Sequence, residues 1–101
     1  MCLGSAVRVT MAAEAYAEAN AAFVDEMYEE AAAGYARALE AIEAGGDSSV
    51  LPAVLYEKRA ATFIKLNDFD SALDDANAAI RADNTLAVAY YRKGYVRVMR
   101  T

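Results

Sequence analysis

Tyr28-Glu-Glu-Ala31-Ala-Ala-Gly-Tyr35-Ala-Arg-Ala38-Leu39 aligns without a gap on Phe69-Asp-Ser-Ala72-Leu-Asp-Asp-Ala76-Asn-Ala-Ala79-Ile80. Both stretches read aromatic, acid, any residue, Ala, three residues, a core residue, two residues, Ala, aliphatic. Steps of three and four residues put the shared positions on one face of a helix. The segments ahead of them match as well. Ala19 to Phe23 corresponds to Ala60 to Ile64, and Gly94 to Val98 begins a third copy. Internal repetition of this kind describes a chain made of stacked helix pairs.

Working outward from the two stretches, the periodicity predicts five helices. The first runs over about Ala12 to Asp25, with Tyr16, Ala19 and Phe23 on one face, and stops at Glu26-Met27. The second covers Tyr28 to Glu43, and Gly45-Gly46-Asp47-Ser48-Ser49 ends it. Ser49 is the expected cap of the third, with Pro52 in its first turn, where a missing N–H costs nothing. That helix reaches about Leu66 with Leu55, Tyr56, Ala60, Phe63 and Ile64 inward, and Asn67 suits a left-handed end residue. The fourth covers Phe69 to Ala82. Asn84 or Thr85 is expected to cap the fifth, which carries Ala89, Tyr90, Gly94 and Val98 to the chain end.

Composition limits what these helices do. The 101 residues suffice for one domain, and 57% of them are hydrophobic, with alanine prominent. One proline and five glycines are too few turn signals for a β-sandwich. No histidine is present, so the commonest general base and the commonest metal ligand are both missing. Cys2 alone forms no internal disulfide and no metal site. The adjacent pairs Glu29/Glu30 and Asp74/Asp75 point apart on a helix and do not suit acid–base work. No catalytic residues, cofactor or metal are therefore expected. No stretch approaches a membrane span, and Met1 to Thr10, with Arg8 in it, lacks the apolar run of a secretory leader.

Net charge is −5, unevenly spread. Nine acids face Arg37 alone between Met11 and Leu51, whereas Arg92, Lys93, Arg97 and Arg100 meet no acid after Thr85. Nucleic acid is a poor partner for such a surface, because the acidic end repels phosphate. Solvated helix faces account for most of these charges, and an acidic protein partner at the basic end is the sharper reading.

These residues resemble the tetratricopeptide repeat family over about Ala12 to Arg100. The resemblance implies an all-α, right-handed superhelix of antiparallel helix pairs, about two and a half repeats long. Residues 1–11 are then a loose tail, 12–44 the first pair, 51–83 the second, and 85–101 the first helix of an incomplete third. Ala31 and Ala72 lie 41 residues apart, against about 34 in the family. The excess fits an insertion at Ala44 to Leu51. Ala19, Ala31, Ala60, Ala72, Ala79 and Gly94 are expected where helices cross closely, with Phe23, Tyr28, Tyr35, Phe63, Phe69 and Tyr90 filling the gaps. Asn84 stands where the family has a repeat-ending proline, and Ala15 where it has an aromatic.

Asn20-Ala-Ala-Phe23-Val-Asp-Glu-Met-Tyr28, Tyr56-Glu-Lys-Arg59-Ala60 and Ala87-Val-Ala-Tyr90-Tyr-Arg92-Lys-Gly94 are similar to the N-terminal repeat domain of the Sgt-one (suppressor of the G-two allele of Skp-one) co-chaperones. That likeness implies an adaptor linking chaperone machinery to Skp-one-containing ubiquitin ligases or kinetochore assembly. The compartment it implies is the cytoplasm, extending to the nucleus. Expected partners are other proteins, chaperone-associated or ubiquitin-ligase components, or a second copy of the chain in a homodimer.

In the family the first helix of each pair lines a concave groove, which here assigns Tyr16, Asn20, Phe23, Lys58, Ala61, Lys65, Tyr91, Arg92 and Tyr95 to the partner site. Glu57, Ile64 and Val98 also fall on the expected groove faces, and Phe23, Ile64 and Val98 suit the core equally well. Repeats that hold acidic chaperone tails use a two-carboxylate clamp of lysine, asparagine, asparagine, lysine and arginine. Asn20 and Arg92 match that pattern, but Tyr16, Lys58 and Val88 replace the other three. An acidic chaperone tail is therefore the alternative ligand, expected to bind weakly. The apolar strip of Tyr91, Tyr95, Val98 and Met99 exceeds what two helix pairs cover, so further chain or another subunit is expected over it.

Overall fold

A computed structural model describes residues 3–45 and 50–100, with side chains from residue 11 onward. It contains five helices: α1 (Leu3–Val24), α2 (Tyr28–Glu43), α3 (Pro52–Lys65), α4 (Phe69–Ala82) and α5 (Ala87–Arg100). No strand occurs among the described residues. α1 packs on α2, α3 on α4, α2 on α3 and α4 on α5, with a lesser contact between α3 and α5. This nearest-neighbour pattern gives a layered slab of 52 × 29 × 17 Å.

The two turns inside the helix pairs are copies of each other. At the end of α1, the Met27 N–H donates to the Ala22 carbonyl at 2.8 Å and the Glu26 N–H to that of Phe23 at 3.0 Å. At the end of α3, Asp68 donates to Phe63 at 2.9 Å and Asn67 to Ile64 at 3.0 Å. This is the Schellman arrangement, and it needs a left-handed residue at its corner. Glu26 at φ 63° and Asn67 at φ 59° supply it. Asn tolerates that conformation through its short polar side chain, whereas Glu adopts it against preference. Gly45, at φ 97°, ends α2 as the glycine run predicts.

Helix starts depart from the sequence reading in three places. α1 begins at Leu3 rather than near Ala12, so the predicted loose tail 1–11 is helical from Leu3 on. Between Ser5 and Ala12 nothing breaks a helix, and one already nucleated extends through such a stretch cheaply. Ser49 lies outside the described residues, and the N-cap of α3 is the extended Leu51, with Pro52 at the first helical position. α5 begins at Ala87 rather than at Thr85. Asp83 accounts for the delay: its Oδ1 accepts from the Thr85 N–H at 3.0 Å and from the Thr85 hydroxyl at 2.6 Å, forming a turn ahead of the helix. Those bonds hold the Asp83 carboxyl below the usual carboxylate range.

The core is mostly alanine. Ala12, Ala31, Ala38, Ala60, Ala72, Ala76, Ala79 and Ala89 are fully buried, and the largest buried side chains are Tyr35, Leu55, Val96 and Thr62. Small side chains let the helix backbones approach, as expected for Ala19, Ala31, Ala60, Ala72 and Ala79. Gly94 is different: it is exposed, and a Cβ there would meet nothing within 4 Å. The tight crossing belongs to Gly34, where a Cβ would sit 2.7 Å from the Ala19 Cβ. Among the aromatics, Tyr35 is buried, while Phe23, Tyr28, Phe63 and Phe69 are half-buried. Tyr90 is 48% exposed, its hydroxyl donating to the Asn84 carbonyl at 3.1 Å, so it fills no core space.

Gly34 and Asp75 occupy the same place in the two repeats, as do Glu18 and Arg59. In the second repeat Arg59 reaches across from α3 and grips Asp75 on α4 through two bonds, Nε to Oδ2 at 2.7 Å and a terminal nitrogen to Oδ1 at 2.8 Å. The guanidinium also lies 5.8 Å from the Tyr56 ring centre and 6.0 Å from that of Phe63. Burial pushes the Asp75 carboxyl up from its ordinary range, and the two Arg59 bonds pull it back. Such a pair fixes the crossing of α3 on α4 more than it adds net stability. Asp74 beside it stays exposed, so the two carboxylates share no site.

Candidate partner groove

α1, α3 and α5, the first helices of successive layers, together supply one wall of the molecule. Two hollows on it adjoin. The larger, about 540 Å³, is lined by Phe23, Ala61, Ile64, Lys65, Asn67, Tyr91, Arg92 and Tyr95. The smaller, about 200 Å³, is lined by Asn20, Phe23, Val24, Tyr35, Lys58, Ala61 and Arg92. Phe23, Ala61 and Arg92 belong to both, so the two form one groove. Eight of the nine residues expected at the partner site line it, and the structure brings them together from three helices. Tyr16 stands apart, in a hollow of about 430 Å³ with Ala13, Val50, Leu51 and Val54.

Each groove residue is set by its helix. Phe23, on the last turn of α1, is half-buried and packs edge-to-face on Tyr28 with ring centres 5.4 Å apart. Ile64 is half-buried on α3. Both thus serve wall and core together. Val98, read as equally suited to the core, is 71% exposed. Tyr91 is 64% exposed and Tyr95 40% exposed, one turn apart on α5. Two exposed aromatics above a half-buried ring and an isoleucine make an apolar receptacle, with Lys65 and Arg92 at its edges.

The polar groups divide sharply. Lys58 and Lys65 are exposed. Asn20 and Arg92, the two positions shared with the carboxylate-clamp pattern, are already engaged. The Tyr35 hydroxyl donates to Asn20 Oδ1. Burial pushes the Tyr35 phenol up to about 12, from an ordinary value near 10. Arg92 Nε donates to Glu57 Oε1 at 2.9 Å and its guanidinium lies 5.7 Å from the Tyr91 ring centre. Glu57 is only 5% exposed. Sequence reading placed Glu57 on a groove face without seeing this bond. A signal was available: the partners lie 35 residues apart, about one repeat period, as expected for side chains meeting across adjacent groove helices.

No protein-family model matches the chain. The chain is 42% identical over 83 residues to a Protein SGT1 homolog of Oryza sativa subsp. japonica, covering 82% of this chain and 21% of that protein. It is 40% identical over 81 residues to the ER protein translocation subcomplex subunit sec67 of Schizosaccharomyces pombe, spanning 42% of it. Human Tetratricopeptide repeat protein 12 is 35% identical over 75 residues, 10% of its length. The chain thus corresponds to a minor part of each of these relatives. Among solved structures, the Arabidopsis OM64 TPR domain superposes with a TM-score of 0.80 at 26% identity, covering 91% of this chain and 70% of that one. The yeast Sti1 TPR2B domain, solved as a pHsp70 complex, gives 0.78 at 28% identity, over 89% and 66% of the two chains. Solved neighbours of this fold are protein-interaction modules rather than enzymes. Repeat register, helix layering and these likenesses together make the chain a tetratricopeptide-repeat protein, with repeats close to those of the Sgt1 type.

Proposed function

We propose that this chain is the interaction module of an Sgt1-like adaptor, and that the groove between α1, α3 and α5 receives a segment of Skp-one or of another ubiquitin-ligase or kinetochore component. The likeness to the rice SGT1 homolog supports the assignment. One structural observation carries it: Arg92, the one cation kept from the carboxylate-clamp pattern, has its Nε tied to Glu57 inside the molecule. What remains for a partner is the apolar receptacle of Phe23, Ile64, Tyr91 and Tyr95, flanked by Lys58 and Lys65. Exposed aromatics in a hollow are the residues that dominate protein interfaces, each costing about 1–4 kcal/mol when truncated. Titration of purified Skp-one against the chain tests the proposal. Tyr91→Ala combined with Lys65→Glu is expected to weaken binding at least tenfold, and unchanged affinity refutes the groove assignment.

A second reading has its own support. The yeast Sti1 domain that superposes on this chain was solved as a pHsp70 complex. The same groove would on that reading hold a chaperone tail. Calorimetry with an acidic pentapeptide, Met-Glu-Glu-Val-Asp, separates the two: micromolar binding favours the tail, and weak or undetectable binding favours the first reading.

A further inference from the structure

Glu57 is an anomaly in the groove wall. A carboxylate withdrawn to 5% exposure is costly unless a cation compensates it. The cation it takes is the one that both hollows share, Arg92. Arg59 and Arg37 have other commitments, to Asp75 and Glu18, and face neither hollow. Planar guanidinium groups are the strongest side-chain binders of carboxylates, and Arg92 has exposed lysines beside it on the same wall. Were its Nε unoccupied, this would be a site for an acidic chain end. The internal bond at 2.9 Å puts a carboxylate oxygen there already.

We infer that Glu57 is a specificity-determining residue: it occupies Arg92 from within and so turns the groove away from carboxylate-rich ligands toward apolar segments. An incoming carboxylate that seeks the Nε edge of this guanidinium has to displace a tethered one, which acts as a competitor at high effective concentration. Apolar side chains entering between Phe23 and Tyr95 meet no such competitor. The inference rests on the groove being the binding site.

The test is calorimetry on the full chain with the pentapeptide Met-Glu-Glu-Val-Asp. Glu57→Gln keeps the volume and removes the charge, and Glu57→Ala removes the acceptor altogether, so a folding failure of one leaves the other, with far-UV circular dichroism as the check. At least one folded variant is expected to bind the peptide ten times or more tighter than the parent. The gain should disappear in Glu57→Gln with Arg92→Ala, which leaves no buried charge unpaired. It should be absent from Glu30→Gln, which makes the same change in net charge on an exposed site of α2. No gain in either folded variant, or a gain that survives loss of Arg92 or appears equally in Glu30→Gln, overturns the inference. Its failure is distinct from failure of the groove reading, which is decided by Tyr91→Ala with Lys65→Glu against Skp-one.

Discussion

The same substitution at two helical glycines is expected to have opposite effects. In Gly34→Ala the new Cβ would lie 2.7 Å from the Ala19 Cβ, 3.1 Å from its Cα and 3.4 Å from the Ala15 carbonyl oxygen. Ala19 is 1% exposed and its Cα is backbone, so no flexible side chain yields; α1 itself must move away from α2. Overpacking of this kind costs about 1–3 kcal/mol, while replacing glycine by alanine inside a helix returns about 1 kcal/mol. The net expectation is a loss of about 1 kcal/mol. At Gly94 nothing lies within 4 Å of the new Cβ, so only the helix-propensity gain of about 1 kcal/mol remains. For a domain of this size each kcal/mol moves Tm by roughly 4–8 °C. Thermal unfolding followed by far-UV circular dichroism should therefore show Gly34→Ala below the parent and Gly94→Ala above it. Adding Ala19→Gly to Gly34→Ala reopens the space and should recover roughly 1 kcal/mol beyond additivity. Equal upward shifts for both glycines would refute the close α1–α2 approach.

Glu26→Gly relieves a left-handed glutamate at φ 63° and should raise stability by about 0.5–1 kcal/mol, read as a higher urea midpoint at constant slope, whereas Asn67→Gly gains less because Asn already tolerates that conformation; a loss on Glu26→Gly would mean that the turn is held differently. Tyr35, whose folded pKa is raised to about 12, contributes stability that is complete below the unfolded value near 10 and is lost as pH climbs through 12. That loss is roughly 2 kcal/mol. Tyrosinate absorbance should show one late-titrating group that Tyr35→Phe removes, together with a shallower alkaline fall in stability; identical alkaline profiles for parent and variant would contradict the assignment.

The layered fold was legible because its signal is local and repeated. The bounds of α2 and α4 agree with the aromatic–acid–alanine pattern to the residue, since both helices start at a Schellman turn and bury their alanines on one stripe. Start sites of α1, α3 and α5 were less legible, because alanine-rich and threonine-containing stretches lack a sharp stop, and the Asp83 turn competes with helix growth. Most of the groove wall followed from the family resemblance. What escaped was pairing between helices. Glu57 and Asp75 look like solvated helix acids in the sequence, and only the crossing angles bring Arg92 and Arg59 onto them. Gly34 escaped for a related reason: its repeat counterpart is Asp75, so one position serves as an ion-pair seat in one layer and as a backbone contact in the other.

α5 is the last rung of this ladder among the described helices, resting chiefly on α4. It nevertheless supplies Tyr91, Arg92 and Tyr95, three of the eight residues lining the larger hollow. In a nearest-neighbour stack each rung is held by those beside it, α5 by α4 and, through Arg92 on Glu57, by α3, so the receptacle exists only while that rung is docked. Whatever settles there bridges α3 and α5 and so also acts as a latch on that docking, and amide exchange in α5 should slow in proportion to how much of the ligand is bound.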